Sequence, residues 1–140
     1  MSLERTLKRM QILAKTNRAE LAMVASMKAT ITARIFEKGL DANNSSIGTY
    51  TPSYIKQRQK QNYPNSSKVI LQATKQMLSD WSIINTGKRL GLGFKNSFNA
   101  EKSEWVESTY KTEIFSSTKD EAKLAVKIFS EEVTKIINGN

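Results

Sequence analysis

Apolar side chains recur with a heptad spacing along the first part of the chain, from residue 3 to residue 35. They fill eight of the ten positions of this stripe, and the exceptions are Asn17 and Lys28. Such a pattern predicts one long amphipathic helix over residues 3–37, with one face suited to burial against a partner.

The predicted helix has a start and a stop signal, because Ser2 can cap it and Gly39 can end it. At 1.5 Å per residue the helix would be about 50 Å long, which is long for a chain of 140 residues. We therefore expect it to protrude, to break near Asn17 or to pack against another subunit. The alternative is an ordinary core helix with a kink.

Residues 40–67 are polar, rich in Asn, Ser, Gln and Thr, and contain both prolines of the chain. Tyrosines are the main apolar anchors of this segment. It is predicted to be an extended polar loop that a partner orders, with room for a short helix from Ser53 to Gln61. The loop residues expected to contact other subunits are Tyr50, Pro52 and Tyr54.

A second helix is predicted after the loop, capped by Ser66 or Ser67. One of its faces would carry Ile70, Ala73, Met77 and Trp81.

Beyond Trp81 the apolar period changes to two, which predicts a β-hairpin with a turn at residues 85–88. Residues 96–103 resemble a turn or a short helical excursion. Residues 104–115 mix apolar and charged side chains and are interpreted as a further, irregular strand.

The last helix has the clearest signals, since Thr118 and Glu121 form a capping box ahead of an apolar face, and Gly139 ends it. The predicted fold is α+β, with a long amino-terminal helix, polar loop, second helix, hairpin with a further strand, and carboxyl-terminal helix. It is a single domain over residues 1–140, divided into 1–38 (helix), 40–67 (loop) and 68–140 (helix, sheet and last helix).

Composition excludes several classes of function. The chain has no Cys and no His, which excludes disulfides, thiolate or histidine metal sites and histidine-based catalysis. We expect no enzyme activity, no catalytic residue, no cofactor and no metal. The longest apolar run near the start is far shorter than a membrane span, and no signal peptide is evident, so we expect no membrane contact.

Three motifs suggest chemistry that their context does not support. Thr86-Gly87-Lys88 lacks the upstream glycine and the following helix of a phosphate loop. Gly91-Leu92-Gly93-Phe94 matches a carboxylate-binding tetrapeptide but follows a hairpin turn. The carboxylate pairs, such as Glu101 with Glu104, lie in exposed-looking stretches.

The net charge of +9 is uneven, because residues 1–38 carry +5 and residues 100–140 carry −2. The basic amino-terminal part of the chain indicates contact with a polyanion on one side of the protein, although a solvated basic surface is an equal alternative. Contacts with nucleic acid would be to phosphate, with little sequence reading. The candidate DNA-contacting residues are Lys56, Arg58 and Lys60 in the loop, followed by Arg5 and Arg9 on the first helix.

Several stretches together resemble the virion morphogenesis proteins of tailed bacteriophages, the neck or tail-completion family. The loop reads Gly48, Tyr50, Pro52, as in the Gly-x-Tyr/Trp-x-Pro of that family. The next segment reads Leu71, Thr74, Lys75 and Met77, with lysine where the family usually has glycine. Ile114-Phe115-Ser116-Ser117-Thr118 then opens the last helix.

The resemblance implies a structural protein that forms a ring in the neck, or connector, joining head to tail around the DNA channel. Its partners would be itself, in six or twelve copies, neighbouring connector and tail proteins, and genomic DNA through diffuse phosphate contacts. It would be found in the virion, assembled in the host cytoplasm. The residues expected between subunits are Leu3, Leu7 and Met10 on the helix, with the loop residues named above. The alternative is a free, basic nucleic-acid-binding protein.

Overall fold

The computed structural model describes residues 2–64, 66–72, 75–87 and 89–139, and for residues 12–16 it describes the backbone alone. The α+β class with a β-hairpin is confirmed. In chain order the elements are α1 (Leu3–Thr32), a π-helical turn (Ala33–Glu37), α2 (Pro52–Lys60), α3 (Gln76–Asp80), β1 (Trp81–Asn85), β2 (Leu90–Phe94), α4 (Ser97–Tyr110) and α5 (Lys119–Ile137).

The long first helix is confirmed, and it runs through Asn17 without a break. The Ser2 side chain accepts a hydrogen bond from the Arg5 amide, as the capping signal predicts. The π-helical turn precedes Gly39, which has φ of +66°. A side chain at residue 39 would overlap the carbonyl oxygen of Val69, so this stop needs glycine for both its backbone angle and its space.

Among the described side chains, the second half of the stripe enters the core. Val24 and Ile31 of α1 and Ile35 of the π-helical turn are buried. The carboxyl end of this helical segment is bonded to the start of α5 through Arg34 and Glu121, and α1 packs against α5 and the hairpin. Helices α1 and α5 are therefore antiparallel. Since α5 has 19 residues, it is too short to cover the amino-terminal half of α1.

The hairpin completes the core. Antiparallel pairing places Trp81 opposite Phe94 and Ile83 opposite Leu92. The rings of Trp81, Phe94 and Phe115 form an aromatic cluster with centroids 5.1–5.8 Å apart. This cluster packs with the buried end of the first helix and with Ile47, Val69, Met77 and Ile114.

The predicted second helix is wrong over most of its length, because among its described residues only Gln76–Asp80 is helical. Residues 66–69 instead pair with the preceding loop through the bridge between Thr49 and Lys68. Left-handed backbone at Leu71 and Lys75 then prevents a continuous helix. Trp81, placed on this helix by the pattern, begins β1, and Ala73 lies outside the described residues.

The predicted further strand at residues 104–115 is also wrong, because most of it belongs to α4. The Asn96 side chain caps this helix by accepting from the Phe98 amide. Val106 and Tyr110, four residues apart, pack against the core. The four-residue spacing of Val106 and Tyr110 places both on one helical face towards the core, a period that the mixture of apolar and charged residues obscured.

The polar segment 40–67 is more structured than an extended loop. It contains α2, whose cap is Thr51 rather than Ser53, because Thr51 accepts from the Tyr54 amide and Pro52 occupies the first helical position. The segment is held within its own chain by Tyr50 and Arg58, as described below.

Candidate functional site

Residues 3–18 of α1, which we call the arm, form an exposed candidate interaction surface. Apart from Thr6, which is half-buried, every arm residue with a described side chain is exposed. Leu3, Leu7 and Met10 have exposed fractions of 75%, 50% and 60%. The arm is about 24 Å long at 1.5 Å per residue, so the stripe predicted for partner contact projects uncovered from the core.

The two long faces of the arm differ in chemistry. At about 100° per residue, Leu3, Leu7 and Met10 share one face, while Arg5, Lys8 and Arg9 lie on the opposite one. The apolar face can pack against protein while the basic face remains towards solvent or a polyanion. Both predicted sets of residues on this helix are therefore exposed, but they point in different directions.

At its base the arm meets the hairpin loop. The Leu90 amide donates to the Glu20 carboxylate at 3.0 Å. An open cleft of about 260 Å³ lies beside this bond, lined by Asn17 and Leu21 of α1 and by Leu90 of β2. Leu21 remains 47% exposed there, so the apolar stripe continues from the arm into the cleft.

Arg58, a predicted DNA-contacting residue, is not available to DNA, and this prediction is wrong. It is 2% exposed, and its guanidinium donates to the carbonyl oxygens of Pro64 and Gln72, both at 2.8 Å. It also stacks over the Tyr50 ring at 4.6 Å. The sequence grouped Arg58 with Lys56 and Lys60 as basic residues of one polar loop, but its guanidinium instead joins this segment to its own chain.

The tyrosines around Arg58 line a second cleft, of about 430 Å³. The Tyr50 hydroxyl accepts from the Ile70 amide at 3.4 Å, so Tyr50 also serves the fold of its own chain. Tyr110 lies across the cleft, and its burial, with Tyr50 and Tyr54 nearby, raises the pKa of its hydroxyl. Contact of Tyr50 and Tyr54 with another subunit stays a prediction.

The remaining predicted residues lie on the surface. Lys56 and Lys60 are exposed on α2, and so is Pro52 at its start. The structure places these two lysines and the arm arginines on separate elements, α2 and α1.

Sequence reasoning missed an exposed apolar pair on α4. Phe98 and Trp105, seven residues apart on one helical face, are 58% and 73% exposed. The pair went unnoticed because residue 98 was assigned to a turn or short helical excursion and residue 105 to an irregular strand.

Sequence reasoning also missed a buried polar cluster beneath the start of α5. The Arg34 guanidinium bonds the Glu121 carboxylate at 3.0 Å and donates to the carbonyl oxygens of Leu40, Ile114 and Ser116. Glu121 is found in the sequence through its capping box, which the structure confirms. Nothing in the spacing of Arg34 distinguishes it from a surface arginine.

Asp41 lies beside this cluster and is 5% exposed. Burial alone would raise its pKa, but the amides of Ser45 and Asn43 and the Thr112 hydroxyl donate to its carboxylate, and Arg34 is near. The net effect of these groups is a pKa below the usual range.

Within the described residues, no three His, Cys, Asp or Glu side chains come together as a metal site would need. No helix in the same part of the chain has both the length and the apolar character needed to cross a membrane. No protein-family model, curated protein or solved structure matches this chain.

Proposed function

We propose that this chain is a structural protein of a tailed-bacteriophage virion, a subunit of a ring in the neck that joins head to tail. The single observation that carries the proposal is the uncovered apolar face of the arm. A side chain such as Leu3, three-quarters exposed, is costly to leave in water in a protein that works alone. Repeated subunit contacts would cover it.

The residues that carry the resemblance have structural roles in this fold. A Cβ at Gly48 would lie 3.2 Å from the Tyr110 ring, Tyr50 stacks on Arg58, and Pro52 begins α2. Lys75 has φ of +64°, a conformation that favours glycine, and glycine is the usual residue of the family at this position. These observations support the resemblance.

The charge distribution fits a ring around DNA through residues other than Arg58. Lys56, Lys60, Arg5 and Arg9 are exposed. Contacts by such side chains to phosphates are diffuse and salt-sensitive, as a channel that must let DNA pass requires.

The proposal is tested by removing the coding sequence from the genome that carries it and imaging the lysate. We expect capsid and tail proteins to be made but few joined particles, with heads that lack tails or leak DNA. Normal joined virions would contradict the proposal.

A sharper version keeps the protein and changes only the arm. The double substitution Leu7→Glu and Met10→Glu should block incorporation into particles while the circular dichroism spectrum stays native. The matched control is Val126→Glu on α5, which is also exposed, at 65%, but lies outside the arm.

The alternative function, a free nucleic-acid-binding protein, is favoured by the exposed basic face of the arm. It predicts that the monomer binds DNA tightly, and that loss of the chain impairs replication or transcription before assembly. The neck proposal predicts weak, sequence-independent binding. Measuring DNA affinity of the monomer across salt concentrations separates the two.

A further inference from the structure

The first part of the stripe, from the arm to Leu21, has the same spacing in both directions. It runs over positions 3, 7, 10, 14, 17 and 21, with Asn17 as its polar member, so its steps alternate between four and three residues and begin and end on four. Two such stripes can therefore pack antiparallel along their full length. In that register Leu3 of each copy lies opposite position 21 of the other, and Leu7 lies opposite position 17.

Charges beside the stripe select the same register. Glu4 and Arg18 are fourteen residues apart, so they lie on one edge of the stripe, four turns from each other. Both are exposed, and neither belongs to an ion pair within the described residues. Antiparallel pairing brings Glu4 of each copy next to Arg18 of the other, twice per pair of arms. A parallel pair would not bring these residues together.

In this register the end of a second arm would lie at the cleft at the base of the first. Its lining continues the stripe through Asn17 and Leu21 and adds the exposed hairpin residue Arg89. In the antiparallel register Leu3 of the second copy lies at Leu21, which is the side chain exposed at this cleft. The pairing thus covers Leu3, which is 75% exposed, and the apolar base of the cleft together.

We propose that two copies of this chain join through their arms, antiparallel and related by a two-fold axis, in this register. Asn17 opposite Leu7 weakens the apolar contact between the two arms, but it favours this register over its alternatives. The basic face with Arg5 and Lys8 stays outside the pair. The proposal concerns the purified chain. It uses the same apolar face of the arm as the proposed function but is tested apart from it, because a two-fold pair is a different contact from the head-to-tail contacts of a ring.

The decisive experiment is a charge swap in the full chain, followed by sedimentation equilibrium at low salt. Glu4→Arg alone and Arg18→Glu alone should each weaken dimerisation about tenfold, because each converts two attractive contacts into repulsive ones. The double swap should restore the affinity of the original chain. The control Lys8→Glu, on the opposite face, should leave the affinity within about twofold.

Crosslinking tests the orientation separately. The chain has no Cys, so Gln11→Cys introduces a single thiol, and position 11 is midway between Glu4 and Arg18. In the antiparallel pair the two thiols lie beside the two-fold axis, and a short bis-maleimide should join them. Lys8→Cys should give little crosslinked dimer.

Three outcomes would overturn the proposal: a monomer at all concentrations, a double swap that stays weak, or crosslinking through position 8 rather than 11. A monomer would not affect the proposed function, which is tested on particles. Heads without tails in the knockout would in turn leave the arm pairing to be decided by sedimentation.

Discussion

The Arg34 guanidinium binds the Glu121 carboxylate at 3.0 Å, across 87 residues of sequence and with both side chains at least 95% buried. This pair joins the carboxyl end of the first helical segment to the amino end of α5. Glu121 also accepts from the Thr118 amide at 2.8 Å, so one carboxylate caps a helix and pairs with a buried cation.

We expect Arg34→Met to destabilise the protein by about 3–5 kcal/mol, because it leaves Glu121 charged and buried without its partner. The substitution also removes the donor to three carbonyl oxygens. Glu121→Gln also leaves a buried charge, Arg34, without its partner, but it should cost less because Arg34 keeps its three carbonyl acceptors and Gln can keep the capping contact. Urea denaturation measures both, and equal losses would contradict the view that the three carbonyl contacts add to the ion pair.

Gly39→Ala is expected to destabilise the protein by more than 3 kcal/mol or to prevent folding, because left-handed backbone and overlap with the Val69 carbonyl act together. Gly87→Ala is the matched control. Gly87 also has positive φ, +86°, but nothing lies within 4 Å of its Cβ position, so only backbone strain of about 1 kcal/mol is expected. Thermal denaturation of the two variants would separate the effect of steric overlap from that of backbone strain.

The lowered pKa of Asp41 makes a definite pH prediction. Because the folded pKa lies below the unfolded one, the ionised carboxylate stabilises the fold above about pH 4, and this contribution is lost as pH falls through the folded pKa. Asp41→Asn should therefore cost roughly 1–3 kcal/mol at pH 7. The difference from the original chain should shrink towards pH 2. A difference that is constant with pH would contradict a charge-based role.

Lys75→Gly should stabilise the protein by about 1 kcal/mol, since relief of left-handed strain exceeds the entropy that glycine loses on folding. Lys111, with φ of +55° at the end of α4, should respond in the same way. Lys68→Gly is the control, because Lys68 lies in a β-bridge and has no positive φ, and it should destabilise. Free energies of unfolding from urea titrations give all three values.

Local patterns determined much of this protein. The heptad stripe predicts the first helix, Thr118 and Glu121 predict the start of α5, and the change to period two at Trp81 predicts the hairpin. These elements depend on periodicity and capping, which are properties of neighbouring residues. Protrusion was one of the outcomes expected of so long a helix, and Leu3, Leu7 and Met10 are exposed on it.

Other features were decided only by tertiary packing. Left-handed backbone at Leu71 and Lys75 replaced a predicted helix with a loop paired to Thr49, and the core contacts of Val106 and Tyr110 made a helix of a predicted strand. Arg58 and Lys56 look alike in sequence, yet one is buried beneath tyrosines and the other is exposed. The cause is that carbonyl oxygens and rings distant in sequence converge on one guanidinium, and no local pattern records that convergence.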